Sequence, residues 1–424
     1  MIGSSSKTIC LVIVIWIFIG YLYLSNNQRP QRCMDFGGHL GYTKILVTEK
    51  RSPSPEDGWQ TYQPPLYYLI NSYIAPDSLK TDETIHLRCV EVLSVIYGSM
   101  FLWIVWWLLK KYFVDSIIQI LVLLFIATTP KFIFIFSSYN NDSLATLLSV
   151  AIIALAYKVY HKWSPKSAMG LLMISTAGLY TKLTVCTPIF IVAILCCKNF
   201  FKRKPIELNH KRILKILVLS VLLFYPWLEF HNHKLSGKYF PSNFEGIAKT
   251  EGLHFAEGKS IISIVSPAAI FELTPNKWDD PFHHVWSTEP ATKKNDYWTS
   301  SFINSIYGET SFKFPGLSIA WLLFWLHLFA RIMGLKEVFK SNINKLAGFI
   351  ILIAHLGQIA FIFNTPYAPS MDYRYIAWTW LGWAFLYSSA LIREDKWSVI
   401  FKKSLILSIV IQFCIALTIG EEFR

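Results

Sequence analysis

The sequence predicts an all-α polytopic membrane protein, and three observations predict it. Charged residues make up 16% of the 424-residue chain and apolar residues 53%, whereas a soluble domain carries about 25% charge. The apolar runs 9–24, 92–109, 144–157 and 347–363 carry no Asp, Glu, Lys or Arg and approach the roughly 17–25 residues of a spanning helix. None alternates apolar and polar residues in the manner of a membrane β-barrel strand.

Eleven spans are expected along the chain: 9–24, 92–109, 117–137, 144–160, 168–179, 184–197, 213–230, 316–332, 347–363, 375–392 and 400–418. The first follows Lys7 and no small-x-small cleavage site succeeds it, so it reads as a retained span rather than a signal peptide. The net charge of +13 reads as topology, because Lys and Arg collect on cytoplasmic loops, and nucleic acid is not an expected partner. With the N-terminus inside, the inner loops gather Lys110 and Lys111, Lys158 and Lys162, and the dense run from Lys198 to Lys215. The short outer loops hold only Lys182 and Arg374. Two long segments, 25–91 and 231–315, then lie outside. The expected division is a transmembrane catalytic module (1–230, including the first outer loop 25–91), a large extracytoplasmic loop (231–315) and C-terminal membrane helices (316–424).

The polar residues Asp35, His39, Asp142, Lys182, Asp372 and Arg374 all fall at outer span ends or in outer loops, so any chemistry faces away from the cytoplasm. Asp35, His39, Tyr42 and Leu46 are spaced i, i+4, i+7, i+11, one face of a helix. An interfacial helix would present them together; the plainer alternative makes Asp35 a helix cap, and Gly37, Gly38 and Gly41 weaken the helix by about 1 kcal/mol each. Downstream, Trp59 to Ile70 reads as an aromatic interface belt around Pro64–Pro65. Asn140-Asn141-Asp142 reads as the cap of the fourth span. Lys131 lies inside the third, where a charge either serves function or snorkels to the surface. Lys182 and Arg374 suit an anionic lipid head group or pair with Asp142 and Asp372. Asp279, Asp280, His283 and His284 in the large loop lack a recognised metal-ligand spacing, so a divalent metal is an open expectation. Seven cysteines show no CxxC; Cys33 and Cys89 bracket the first outer segment and would pair in an oxidising compartment.

The pattern Asp35-x3-His39-x2-Tyr42-x3-Leu46, followed by Tyr62-Gln63-Pro64-Pro65-Leu66-Tyr67-Tyr68, resembles the first outer loop of GT-C glycosyltransferases. These polytopic enzymes take sugars from polyprenyl-phosphate donors and include the protein O-mannosyltransferase and aminoarabinose-transferase branches. Pro130-x-Phe132 leading to Asn141-Asp142-x-Leu144-Ala145, then Thr181-Lys182-Leu183-Thr184, then Asp372-Tyr373-Arg374-Tyr375, are similar to the later recurring elements, in the same order. The resemblance implies an acidic base in the first outer loop, and only Asp35 matches. Many relatives carry a second acid beside the first; here Phe36 stands there, which leaves open whether Asp142 supplies the second carboxylate. Members differ in their use of a divalent metal.

The resemblance thus implies an integral membrane glycosyltransferase with a polyprenyl-phosphate-linked sugar donor and an extracytoplasmic glycan, lipid or protein acceptor. Asp35 would be the base, His39 would orient it or touch the phosphate, and Lys182, Arg374 and Lys131 would balance the departing phosphate. Tyr42, Tyr62, Gln63, Asn141, Asp142, Asp372 and Tyr373 would complete the substrate site. The alternatives are a lipid-linked glycan ligase or polymerase, and a transporter or flippase. The last is disfavoured by ionisable residues gathered at span ends rather than midpoints.

Overall fold

The computed structural model describes residues 2–26, 35–201, 207–241, 262, 265–266, 297–307, 316–365 and 368–418. Every regular element among them is helical, as expected of an all-α membrane protein. In chain order the helices are α1 (Ile2–Asn26), α2 (Phe36–Lys44), α3 (Leu66–Ser72), α4 (Ser78–Thr81), α5 (Glu83–Leu109), α6 (Ser116–Ala127), α7 (Pro130–Phe136) and α8 (Asp142–His161). There follow α9 (Pro165–Leu179), α10 (Cys186–Phe201), α11 (Leu208–Trp227), α12 (Tyr297–Tyr307), α13 (Gly316–Leu335), α14 (Asn342–Asn364), α15 (Trp380–Leu391) and α16 (Lys396–Thr418).

Seven described helices are long and apolar enough to cross a membrane, and a bent pair makes up to eight. Every expected span falls on helix, and in three of them the α-helical part is shorter than 18 residues. Those expected at 168–179, 184–197 and 375–392 lie on α9, on the 3₁₀ turn Leu183–Val185 with α10, and on the 3₁₀ segment Tyr373–Thr379 with α15, the α-helices having 15, 16 and 12 residues. At 1.5 Å per residue the α-helices alone reach about 18–24 Å, against the roughly 30 Å of a hydrocarbon core, and the 3₁₀ segments lengthen the last two. The span expected at 117–137 is not one rod: α6 and α7 meet at 70°. Pro130 opens α7 because it lacks the N–H that would continue α6. Thr128 and Thr129 turn their hydroxyls back onto the carbonyls of Leu124 and Phe125, each at 2.8 Å.

The chain clusters into two compact units built from non-consecutive segments. One comprises Met1–Asn27, Val105–Ile135 and Glu245–Arg424; the other Gln28–Ile104 and Phe136–Phe244. In the first, α1, α6, α13, α15 and α16 pack together. A buried polar knot joins three of its helices: Gln412 bonds Thr128 at 2.6 Å and His327 at 2.5 Å. In the second, α8, α9, α10 and α11 share a core that includes Ile152, Leu171, Val185 and Leu217. There α2 packs on α3, and Leu66 N–H donates to the Tyr180 carbonyl at 2.8 Å. That bond brings the first loop to the turn that follows α9.

Candidate functional site

Asp35 opens the second unit's described chain, half-buried, with φ 63° and ψ 14°. Asp is one of the few residues that tolerate this left-handed conformation. It occupies the cap position of α2, yet its carboxylate makes no cap bond. Instead Oδ1 accepts the Trp59 indole N–H at 2.7 Å. The expected helix forms, and its face is buried rather than presented to solvent: His39, Leu40, Tyr42 and Thr43 point inward. Tyr42 is fully enclosed, stacked on Tyr68 with ring centres 3.9 Å apart and planes within 7°. Tyr62 and Gln63 lie half-buried in the turn before Pro65.

From His39 a chain of hydrogen bonds crosses the unit. His39 Nδ1 meets the Tyr68 hydroxyl at 2.8 Å. Tyr68 accepts from Asn141 Nδ2 at 3.5 Å. Asn141 Oδ1 accepts from Lys182 Nζ at 3.1 Å, and Asp142 Oδ1 accepts from the same ammonium at 2.6 Å. Its polarity follows from the donor inventory. Lys182 only donates, so the Asn141 oxygen faces it and the amide nitrogen faces Tyr68. Burial pushes the Tyr68 hydroxyl well up, so the phenol keeps its hydrogen. His39 Nδ1 and the Tyr68 hydroxyl thus share one hydrogen across this contact.

The side chains reach these places for local reasons. Asn141 stands at the cap of α8 without capping it; Asn140 does that work, its Oδ1 accepting from Ser143 N–H at 3.0 Å. The Asn141 amide is thus left for Lys182 and Tyr68. Gly178 admits the turn that carries Lys182, since a Cβ there would lie 2.6 Å from Val185 Cγ1. Lys182 N–H in turn donates to the Gly178 carbonyl at 3.0 Å.

Lys131, Asp372, Tyr373 and Arg374 belong to the first unit. Lys131 is wholly buried and does not snorkel; it meets Asp372 Oδ1 at 2.7 Å, and both side chains have no exposure. Arg374 Nε lies 3.7 Å from Asp372 Oδ2. Asp372 also caps the following 3₁₀ turn through Arg374 N–H at 2.8 Å, and Gln358 holds its carbonyl at 2.8 Å. The Tyr373 hydroxyl and Thr379 bond at 2.8 Å. The sequence-expected cations are therefore ion-paired: Lys182 with Asp142, Lys131 and Arg374 with Asp372.

Among the described residues no group of three or more His, Cys, Asp or Glu is placed to hold a metal ion. Asp279, Asp280, His283, His284 and Cys33 lie outside the described residues; Cys89 is exposed. Two residues that matter here were given plainer roles by sequence. Trp59 read as interface aromatic, and Asn140 as one of three equivalent caps. The spacing of Trp59 from Asp35, 24 residues, carries no periodic signal.

No family model matches the chain, and no curated protein matches it in sequence. Two solved structures of ArnT from Cupriavidus metallidurans are similar to it in fold. The undecaprenyl-phosphate-bound structure shares 9% identity over 90% of this chain and 77% of that one, with a TM-score of 0.41. The apo structure shares 9% over 92% and 78%, with a TM-score of 0.42. A likeness this loose locates no side chain.

Proposed function

We propose that the protein is an integral membrane glycosyltransferase that moves a sugar from a polyprenyl-phosphate donor to an acceptor hydroxyl outside the cytoplasm. One observation carries the reading. The motif residues Asp35, His39, Asn141, Asp142 and Lys182 share one compact unit, and the last four are joined through Tyr68 by a hydrogen-bond chain that begins one helical turn from Asp35. The ordered motifs that resemble the GT-C family supply the chemistry.

In this reading Asp35 takes the proton of the acceptor hydroxyl as its oxygen attacks the anomeric carbon. The bond from that carbon to the phosphate oxygen breaks, and polyprenyl phosphate leaves with the electron pair. A phosphate is a good leaving group, so no general acid is required. Direct displacement by a single base inverts the anomeric centre, unlike the two-carboxylate retaining route. Asp142 and Asn141 hold Lys182 charged and oriented, and the donor phosphate draws on that charge as it departs. His39, its Nδ1 held by the Tyr68 hydroxyl, orients Asp35 or touches the donor phosphate.

Membranes carrying Asp35→Asn, supplied with a polyprenyl-phosphate sugar, test the base. Transfer falls by about 10²–10⁴-fold at normal expression; undiminished transfer refutes the assignment. The anomeric configuration of the wild-type product, read by NMR, tests inversion.

A second reading, a transporter or flippase, is favoured by one observation: the broken α6–α7 pair carries a fully buried Lys131–Asp372 ion pair just past its break. Proteoliposomes that move a fluorescent lipid phosphate across the bilayer without transferring sugar would support it, with Lys131→Met abolishing the movement.

A further inference from the structure

We propose that Trp59 is the positioning residue of the Asp35 carboxylate, and that Gly38 is the notch that lets it reach. The inference rests on the reading of Asp35 as base and adds a residue to it.

Three features converge. A carboxylate at a helix start ordinarily accepts from the first-turn N–H groups; Asp35 makes no such bond, and its left-handed backbone turns it to the Trp59 indole at 2.7 Å. The indole crosses α2 at Gly38. A Cβ added there would stand 2.9 Å from Trp59 Cδ1 and 2.7 Å from Gln60 Cγ, so any larger residue displaces the ring. Gly41, one turn further along the same helix, has open space where its Cβ would be; the fit at Gly38 is local.

The loop that carries Trp59 is fastened at three points within the same unit. The Thr61 hydroxyl accepts from Gly58 N–H at 3.0 Å and lies 3.1 Å from the Pro55 carbonyl. Asp57 accepts from Ser54 N–H at 2.6 Å and from Arg51 at 2.5 Å. His231 donates to the Pro53 carbonyl at 2.7 Å. A bulky side chain on an immobilised loop restricts the rotation of the carboxylate it touches. Its N–H also neither gives up nor takes a proton at working pH, so it favours the charged form of its partner. A base is served by both effects: it is aimed, and it stays deprotonated.

The test uses the full chain in detergent or proteoliposomes. Trp59→Phe keeps the ring and removes the donor. Its kcat falls by about 10- to 100-fold with KM for the polyprenyl-phosphate sugar unchanged, and the acidic limb of its pH–rate profile moves up by about one unit. Gly38→Ala gives the same two changes without adding to those of Trp59→Phe, while Gly41→Ala gives neither. A Trp59→Phe enzyme with wild-type kcat and an unmoved acidic limb overturns the proposal. So does a Gly38→Ala enzyme indistinguishable from Gly41→Ala. Should Trp59→Phe fail to accumulate, the Gly38→Ala and Gly41→Ala pair decides alone.

A second readout needs no catalysis. A double-mutant cycle of Asp35→Ala and Trp59→Phe, read as thermal unfolding, is non-additive if the two side chains bond. Additive effects overturn the proposed positioning by Trp59. Non-additive effects with undiminished transfer by Asp35→Asn refute the base reading instead, so the two failures are told apart.

Discussion

At Tyr68 a single oxygen closes the chain between a histidine and an amide. Tyr68→Phe leaves His39 Nδ1 and Asn141 Nδ2 without that contact in a buried site, and a buried unsatisfied group costs about 1–3 kcal/mol. Thermal unfolding in detergent is expected to drop accordingly. The Lys182–Asp142 pair makes a sharper case, with side chains only 8% and 3% exposed. Asp142→Asn strands the ammonium, and breaking such a pair costs about 3–5 kcal/mol. Replacing both partners, Asp142→Leu with Lys182→Met, is expected to destabilise less than Asp142→Asn alone, and the same melting experiment checks it. These residues were legible in sequence because a carboxylate or ammonium at a span end is costly and therefore conspicuous. The bond between Trp59 and Asp35 was not. An aromatic near an interface looks the same whether it touches lipid or a carboxylate.

The elements show why an apolar run alone does not count crossings. Hydropathy records that a segment avoids water, and a helix buried in protein avoids it as well as one in lipid. α15 is buried along most of its length, and its 12 residues read as part of a span. α7 is likewise enclosed from Phe132 to Phe136. The break between α6 and α7 was written in Thr128-Thr129-Pro130, a helix stop that the surrounding hydrophobicity masked. Where the spacing was periodic, as from Asp35 to Tyr42, the helix was readable and the direction of its face was not. Periodicity says which residues share a side, but a neighbour such as α3 decides what that side meets. The turn after α9 yields an element-scale prediction. Gly178→Ala places a methyl against Val185, overpacking that costs about 1–3 kcal/mol, and the Lys182 turn moves with it. Transfer activity and melting temperature are expected to fall together, and Val185→Ala in the same chain is expected to restore both.

For the whole molecule, the distribution of basic residues makes a statement that side-chain geometry cannot. Single cysteines introduced at Ser54 in the first loop and at Lys166 beside α9 are expected to react with an impermeant maleimide from opposite sides of the membrane. Labelling from the same side refutes the orientation. The two compact units carry the motifs unevenly: Asp35, His39, Asn141, Asp142 and Lys182 fall in one, Lys131, Asp372 and Arg374 in the other. A division by position along the chain does not reveal this, because each unit is stitched from separated segments.

The ion pair of Lys131 with Asp372 has a consequence for how the protein is made. The two residues are 241 positions apart. At a synthesis rate of about 5–20 residues per second, the lysine leaves the ribosome roughly 10–50 s before its counter-ion exists. For that interval its charge lacks the carboxylate it meets in the folded protein, so α7 settles late, once translation has passed Asp372. Nascent chains arrested ahead of Asp372 are therefore the ones that quality control in the membrane is expected to clear fastest.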